Sequence, residues 1–410
     1  MKFYIETLGC KVNSYESDYI KKSLVNNGFL QIDDYTLADV VIINTCTVTN
    51  QADNKSLKRV RKLKRECKNA ILVVCGCSVQ NNPELYENIG IDILLGNKDK
   101  SKINDLIREF IKNKVPYEYI EKNRNLEFED MEIDEFHHTR AFIKIQDGCN
   151  NFCSYCVIPF VRGTNRSKSF DKIIEESNLL VNSGHKEIVL TGIDTGSYND
   201  NDKDLVDLIN ELSKIDGLLR IRLSSVEITQ LNDKFMDMLK SNNKLCNHLH
   251  IPLQSGSNEI LKKMNRKYDL DYFKNKIKEI RNIRSDISIT TDLIVGHPFE
   301  TEELFNETLD TINEIRFSKV HVFPYSKRNG TVSARMDNQI SESTKKDRVK
   351  QVLKLSSILE SEYYNKFKGK TVDVLIEEIK DNVGIGHTSN YLLVSVPNID
   401  KKNIIVEYIL

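Results

Sequence analysis

The sequence is short of three things: long apolar runs, net charge and proline. No apolar run nears the roughly eighteen residues of a membrane-spanning helix; the strongest, DVVIIN and AILVVCG, have the length of strands. No membrane partner is expected. A formal net charge of −1 over 410 residues supplies no global field toward nucleic acid, so any such contact must come from local patches. Seven prolines, 40% hydrophobic and 29% charged residues fit a soluble globular protein and exclude a disordered one. The amino terminus, MKFYIETLGC, alternates like a short strand and lacks the basic-then-apolar layout of a signal peptide, which points to the cytoplasm. Thiols stay reduced there, so the nine cysteines suggest metal or redox chemistry and not disulfides.

A chain of this length exceeds one ordinary core, and two or three domains are expected. From the start to about residue 113, strands such as KFYIET, VVIINT, ILVVCG and DILLG alternate with helical stretches over 14–27, 52–67 and 99–112. This is the pattern of an open parallel α/β sheet, whose ligands bind beyond the carboxyl ends of the strands. Residues 1–116 are assigned to this domain, and the acidic, aperiodic stretch 117–138 to a linker. From 139 to 366 six further strands, AFIKIQDG, EIVLTG, RIRLSS, NHLHIP, ISITTDLIVG and KVHVFPYS, alternate with helices. That layout resembles a partial (β/α)6 barrel, again with its active face at the carboxyl edge. Residues 367–410 carry GKTVDVLIEEI, GIGHTSNYLLVSVP and NIIVEYI, short strands with glycine turns that suggest a small antiparallel β-barrel.

The cysteines follow this plan. Cys10, Cys46 and Cys77 lie just past the first three strands of the amino-terminal sheet, so they are expected to meet along one edge. Cys149, Cys153 and Cys156 fall within eight residues after the first barrel strand. CSYC alone could be half of a zinc site or a redox pair, but a third cysteine is present and a nearby His or Cys partner pair is missing. Three thiolates on a short loop suit three irons of a [4Fe–4S] cube and leave the fourth open. This is the radical S-adenosylmethionine spacing. Cys75 competes with Cys77 but lies inside a strand, where buried free thiols are common. Cys67 and Cys246 are expected to be packing residues.

TLGCKVNSYES (7–17), NTCTVTN (44–50), CGCSVQ (75–80), DGCNNFCSYCVIPFVRG (147–163), HLHIPLQSGSNEILKKMNR (248–266) and VFPYSKRNGT (322–331) together resemble the radical-SAM methylthiotransferases, in order and across nearly the whole chain. The resemblance implies two [4Fe–4S] clusters, one on Cys10, Cys46 and Cys77 and a catalytic one on Cys149, Cys153 and Cys156. It implies S-adenosylmethionine both as radical source and as methyl donor. Polar residues at the other barrel strand ends are then candidate contacts to that cofactor: Thr191, Gly192, Ser224, Ser225, Glu227, His250, Gln254, Asp292 and Gly296. One departure is local: GHPFETEE carries His297 and Phe299 where relatives usually read Phe and Gly.

Members of this family modify adenosine beside the tRNA anticodon or an aspartate of a ribosomal protein. The residues around Cys10 and Cys149 resemble those of the members acting on N6-threonylcarbamoyladenosine at position 37, more than those acting on N6-isopentenyladenosine or on the ribosomal protein. The carboxy-terminal segment resembles the TRAM RNA-binding module. The expected partner is therefore a tRNA anticodon stem-loop, with an electron donor and a sulfur source that the sequence leaves unidentified. KSLKRVRKLKRECK (55–68) is a basic patch that RNA would attract, though lysine-rich helices are often only solvated faces. A rival of another class is a non-catalytic RNA-binding protein stabilised by metal; two triads, each one ligand short of closure, argue against it.

Overall fold

The computed structural model describes every residue, Met1–Leu410, and separates into two compact units. The first comprises Met1–Asp134, Gln146–Phe152 and Cys156–Lys168; the second comprises Glu135–Ile145, Cys153–Tyr155 and Ser169–Leu410. No helix is long and apolar enough to cross a membrane.

The first unit is built on β1 (Lys2–Thr7), β2 (Leu30–Gln31), β3 (Val40–Thr45), β4 (Ile71–Gly76), β5 (Ile93–Leu95) and β6 (Tyr117–Tyr119). They form one sheet in the order β2-β1-β3-β4-β5-β6, parallel throughout. Its helices are α1 (Lys11–Asn26), α2 (Asn50–Glu66), α3 (Cys77–Asn81), α4 (Ile103–Asn113) and the short α5 (Ile158–Val161). Every residue of β3 and β4 is buried, which is why both read as unbroken apolar runs: helices cover the two faces. Val40, Ile42, Val73 and Cys75 face one core with Ile20 and Leu24 of α1 and Ile107 of α4. Val41, Ile43, Leu72 and Val74 face the other with Val60 and Leu63 of α2. The Thr49 side chain caps α2 by accepting from the Ala52 N–H, satisfying one orphan donor.

The open parallel sheet expected from the sequence is present, with two strands more, the two-residue β2 and the strand β6. Tyr117–Tyr119 pairs with β5 at the start of the acidic stretch. Three residues are too few to show a period of two, which is why this edge strand escapes sequence reading.

The second unit holds β7 (Arg140–Lys144), β8 (Glu187–Thr191), β9 (Arg220–Leu223), β10 (His248–His250), β11 (Ser288–Val295) and β12 (Lys319–Pro324). They form two parallel triplets, β9-β8-β7 and β10-β11-β12. A parallel bridge from Ile221 to Leu245 and the Val226 N–H on the His250 carbonyl join β9 to β10. The strands thus follow sequence order, the layout of a partial (β/α)6 barrel. Helices α6 (Phe170–Asn182), α7 (Leu205–Leu212), α8 (Asp233–Ser241), α9 (Asn258–Lys263), α10 (Leu270–Ile283), α11 (Glu302–Ile315) and α12 (Glu342–Asn365) connect and follow them.

β13 (Thr371–Lys380), β14 (Val383–Thr388), β15 (Leu393–Pro397) and β16 (Ile405–Ile409) form an antiparallel sheet in the order β15-β14-β13-β16. A register irregularity between Ile376 and Glu378 is a bulge of the kind that curls such a sheet into half a barrel. GIGHTSNYLLVSVP is two strands: the chain reverses at Thr388, whose Oγ1 accepts from the Leu392 N–H at 2.9 Å. Tyr391 takes φ 67° in that turn.

This sheet docks on the amino ends of the barrel strands. Arg140 donates to Glu377 at 3.0 Å, Arg220 to the His387 and Asp373 carbonyls, and Arg222 to the Thr388 and Ser389 carbonyls. The Tyr391 ring stacks between His248 and His387. With one end of the barrel closed by polar contacts, the carboxyl edge remains for ligands.

Candidate active site

In the first unit, Cys10 precedes α1, Cys46 follows β3 and Cys77 opens α3. Because β1, β3 and β4 are neighbours, their carboxyl-end loops are neighbours too, and the three thiols share one edge. The loops approach so closely that glycine is required. A Cβ at Gly9 (φ +110°) would lie 2.8 Å from the Cys46 Cβ, and one at Gly76 (φ +108°) would lie 2.5 Å from the Thr45 carbonyl oxygen. Asn13 Nδ2 ties the loops by donating to Leu8 O at 2.7 Å and Thr45 O at 3.0 Å. Asn97 lies 3.5 Å from the Cys77 sulfur.

A buried charge network backs this edge. Arg162 donates to Asn13 Oδ1 at 2.7 Å, Glu16 Oε1 at 3.0 Å and Asp147 Oδ1 at 3.1 Å. Lys100 holds the other oxygen of Glu16. Burial works against the Arg162 charge, but Cys77, Glu16, Asp147 and Cys10 hold the guanidinium well above its ordinary range. Burial raises the Cys46 thiol to about 11, whereas Cys10 is exposed. None of the cysteines forms a disulfide.

Soft sulfur donors beside a fixed buried cation suit an anionic, thiolate-bound group. No three His, Cys, Asp or Glu side chains converge on the position of a single ion; a cube that takes one iron per thiol asks for wider spacing than one ion does. Cys75 points elsewhere. Its side chain is fully buried in the core facing α1 and α4, and burial pushes its thiol to about 12. Cys67 is packed in the opposite core, and Cys246 is 1% exposed beside Arg222.

The short cysteine loop divides between the units. In the first, the Asn151 N–H donates to the Cys149 sulfur and the Ile158 N–H to the Cys156 sulfur, each at 3.4 Å. Such bonds favour the thiolate form. In the second, Arg266 donates to the Cys153 sulfur at 3.3 Å and pairs with Glu227. Sequence reasoning passed over both Arg162 and Arg266, although each lies in a quoted motif: a lone arginine gives no sign of which buried anion it will meet.

The remaining candidates lie at the carboxyl ends of the barrel strands. Thr191 closes β8, and its Oγ1 accepts from the Ser224 hydroxyl at 3.0 Å; Gly192 and Ser225 are the next residues along. His250 closes β10, with Nδ1 2.9 Å from Thr290 Oγ1 and Nε2 3.4 Å from Asp292 Oδ2. Gln254, at φ 66°, donates its N–H to the Asp292 carbonyl at 2.9 Å. Thr191 with Ser224, and His250 with Asp292 and Gln254, are therefore brought together. Glu227 belongs with Arg266 and Cys153. Gly296 is enclosed: a Cβ there would meet Lys345 Cγ at 2.4 Å, and its N–H is bound by Glu300.

The His297 and Phe299 departure has a physical account. Phe299 adopts φ 70°, the left-handed region that glycine occupies freely and other residues rarely. It holds the turn through its N–H on the Asn338 carbonyl, and Lys263 sits 4.3 Å over its ring. His297 is fully buried. Its Nδ1 faces the Pro298 carbonyl at 3.0 Å and so carries the proton. Nε2 lies 2.8 Å from Ser333 Oγ. Ser333 Oγ lies 2.8 Å from Ser154 Oγ, and the Ser333 N–H donates to the Ser154 carbonyl. Ser154 is bonded in sequence to Cys153, so the unusual histidine braces the cysteine loop.

Comparison with known proteins agrees with this architecture. Residues 143–312 match the Radical SAM superfamily and residues 2–96 the uncharacterized protein family UPF0004. A Bacillus subtilis protein named threonylcarbamoyladenosine tRNA methylthiotransferase MtaB is 40% identical over 95% of this chain and 88% of its own length. Its Thermotoga maritima namesake is 38% identical over 91% of this chain and 86% of its own. A Thermodesulfovibrio yellowstonii protein named tRNA-2-methylthio-N(6)-dimethylallyladenosine synthase is 36% identical over 93% of this chain and 89% of its own. Among solved structures, the radical S-adenosylmethionine methyltransferase TsrM from Kitasatospora setae, with cobalamin and a [4Fe–4S] cluster bound, superposes with a TM-score of 0.58. It shares 16% identity and covers 79% of this chain and 74% of its own, a likeness of fold.

Proposed function

Because this chain belongs to the radical-SAM methylthiotransferases, we propose that it converts N6-threonylcarbamoyladenosine at position 37 of tRNA, beside the anticodon, to its 2-methylthio derivative. The observation that carries the reading is the pair of thiol triads, each at strand carboxyl ends, in a chain 40% identical to a protein named for that modification. Cys149, Cys153 and Cys156 would hold one [4Fe–4S] cluster and Cys10, Cys46 and Cys77 a second. When bound, these clusters with S-adenosylmethionine supply the one-electron chemistry and sulfur transfer that replace an unactivated carbon–hydrogen bond, which side-chain acids and bases cannot do.

The protein's own contribution is orientation and charge. Arg162 offsets the negative charge of thiolates at Cys10 and Cys77, and Arg266 does so for Cys153. Backbone N–H groups aim at the Cys149 and Cys156 sulfurs. Thr191 with Ser224, and His250 with Asp292, offer hydroxyl, imidazole and carboxylate groups to the amino, carboxylate and ribose groups of S-adenosylmethionine. The reading divides the chain into an auxiliary-cluster domain (1–116), a radical domain (139–366) and an RNA-binding segment (367–410). A tRNA substrate puts the work in the cytoplasm.

The test is expression in a host lacking its own enzyme, followed by nucleoside analysis of tRNA. 2-Methylthio-N6-threonylcarbamoyladenosine should appear and should vanish with Cys153→Ala. Methylthiolation of N6-isopentenyladenosine, which the dimethylallyladenosine synthase relatives keep in view, or of a ribosomal-protein aspartate would overturn the substrate and leave the enzyme class standing.

A further inference from the structure

The first unit carries a concentrated positive face that neither triad uses. Gln51, Asn54, Lys55, Lys58, Arg59 and Lys62 of α2, with Glu6 of β1, line a depression of about 550 Å³. Positions 51, 55, 58 and 62 follow the four-three-four spacing that puts residues on one stripe of a helix. Glu6 is the only carboxylate in the lining, and Arg59 neutralises it at 2.6 Å. Lys62 lies 3.8 Å from Glu66. Lys55 and Lys58 are exposed and have no carboxylate partner.

A merely solvated lysine helix usually intersperses acids at i+4, and like charges three or four apart destabilise it. Here Lys55, Lys58, Arg59, Arg61, Lys62, Lys64 and Arg65 share α2 with two acids, Asp53 and Glu66. Asp53 is buried and bound by Thr47 and Ser78. Lys64 and Arg65 lie near Asp92 and Glu66, so the repulsion left standing is that among Lys55, Lys58 and Arg61, in a chain whose net charge is −1. The helix also begins four residues after Cys46, so the stripe runs away from the thiol edge.

We infer that this stripe is a track for the phosphate backbone of the substrate RNA, with Lys55, Lys58 and Lys62 as its phosphate contacts. The inference rests on the tRNA reading above and deepens it. Lys55 to Lys62 spans about 10 Å of helix axis, room for on the order of two or three successive phosphates of one strand. Point charges one turn apart match a regular polyanion, and the Gln51 and Asn54 amides can bond phosphate or ribose oxygens between them.

The experiment compares three full-length, cluster-reconstituted proteins: the parent, a Lys55→Ala, Lys58→Ala, Lys62→Ala variant, and a control with Lys346→Ala, Lys350→Ala and Lys354→Ala on α12. All are titrated against tRNA bearing N6-threonylcarbamoyladenosine over a range of salt. Iron content and melting temperature verify folding. Losing three phosphate contacts should flatten the slope of log affinity against log salt by about 2 to 3. From about 50 to 200 mM salt the parent should then lose at least roughly 16-fold more affinity than the groove variant. The control should behave as the parent.

An unchanged slope in the groove variant, or equal flattening in the control, overturns the track. If the parent still methylthiolates tRNA in that case, the tRNA reading stands alone. Normal tRNA binding with lost acceptance of electrons from a reductant protein would give the groove to an acidic protein and also overturn the track. No tRNA binding by the parent would overturn both readings.

Discussion

Replacing His297 with phenylalanine should remove a pH dependence of stability that the parent carries. Burial depresses the His297 pKa to about 4, the nearby Lys263 cation adds to the effect, and the Pro298 carbonyl opposes it. The unfolded chain has a histidine near 6.5. Because the folded value is the lower one, the unfolded state takes up the proton first, and stability present at pH 7 is lost as pH falls from about 6.5 to 4. From pH 7 to 5 the loss from this one group is about 2 kcal/mol. With a urea slope of about 3 kcal/mol per molar, that lowers the unfolding midpoint by about 0.7 M.

The assay is urea unfolding of parent and His297→Phe at both pH values, with near-UV dichroism as readout. His297→Phe also deprives the Ser333 hydroxyl of a partner, which costs about 1 kcal/mol at any pH; only the change in the parent–variant difference reports the titration. A parent–variant difference that is the same at pH 5 and pH 7 would refute the reasoning.

Arg162→Met should destabilise the protein by about 3–5 kcal/mol, because it leaves Asp147 buried without that partner and Glu16 with Lys100 alone; thermal unfolding measures it, and a loss below 1 kcal/mol would contradict the network. Cys77→Ser should lower reconstituted iron from about eight to about four per chain while Cys75→Ser leaves it unchanged, and the opposite result would exchange their roles. Removing residues 367–410 should lower the melting temperature as well as weaken tRNA binding, since Arg140, Arg220 and Arg222 all bond to that segment; unchanged melting would mean that the sheet is not part of the barrel's stability.

Local patterns were enough to read the scaffold. VVIINT and ILVVCG are apolar throughout because both of their faces are covered, and that alone announces a parallel sheet with its cysteines at one edge. The barrel strands, which carry Arg, Lys and His, show themselves instead by their alternation with helices. What stayed hidden depends on contacts between residues far apart in sequence, or on segments too short to show a period. β6 has three residues. The turn at Thr388 contains neither glycine nor proline, and Tyr391 takes the left-handed conformation in their place. His297 and Phe299 were visible as departures, but their resolution needs Ser333, 36 residues away, and Ser154, 179 residues from Ser333.

The two arginines show why the candidate site was only half legible. Three thiolates on one group are a net negative charge, and a buried negative charge is costly unless a cation accompanies it. Each triad can therefore be expected to carry a fixed cation, yet 59 lysines and arginines compete for that role and no local rule ranks them. Folding does the ranking by burial. Arg162 is 1% exposed and meets Glu16 from 146 residues away, and the Arg266 side chain is 4% exposed and meets Cys153 from 113 residues away. On α2 the ranking runs the other way: Lys55 and Lys58 stay in water with no anion of the protein's own. A cation buried against a thiol serves the chain, and a row of cations left unpaired in water is available to a partner, so the same residue types divide into site and surface only after the sheet has decided which side of each helix it covers.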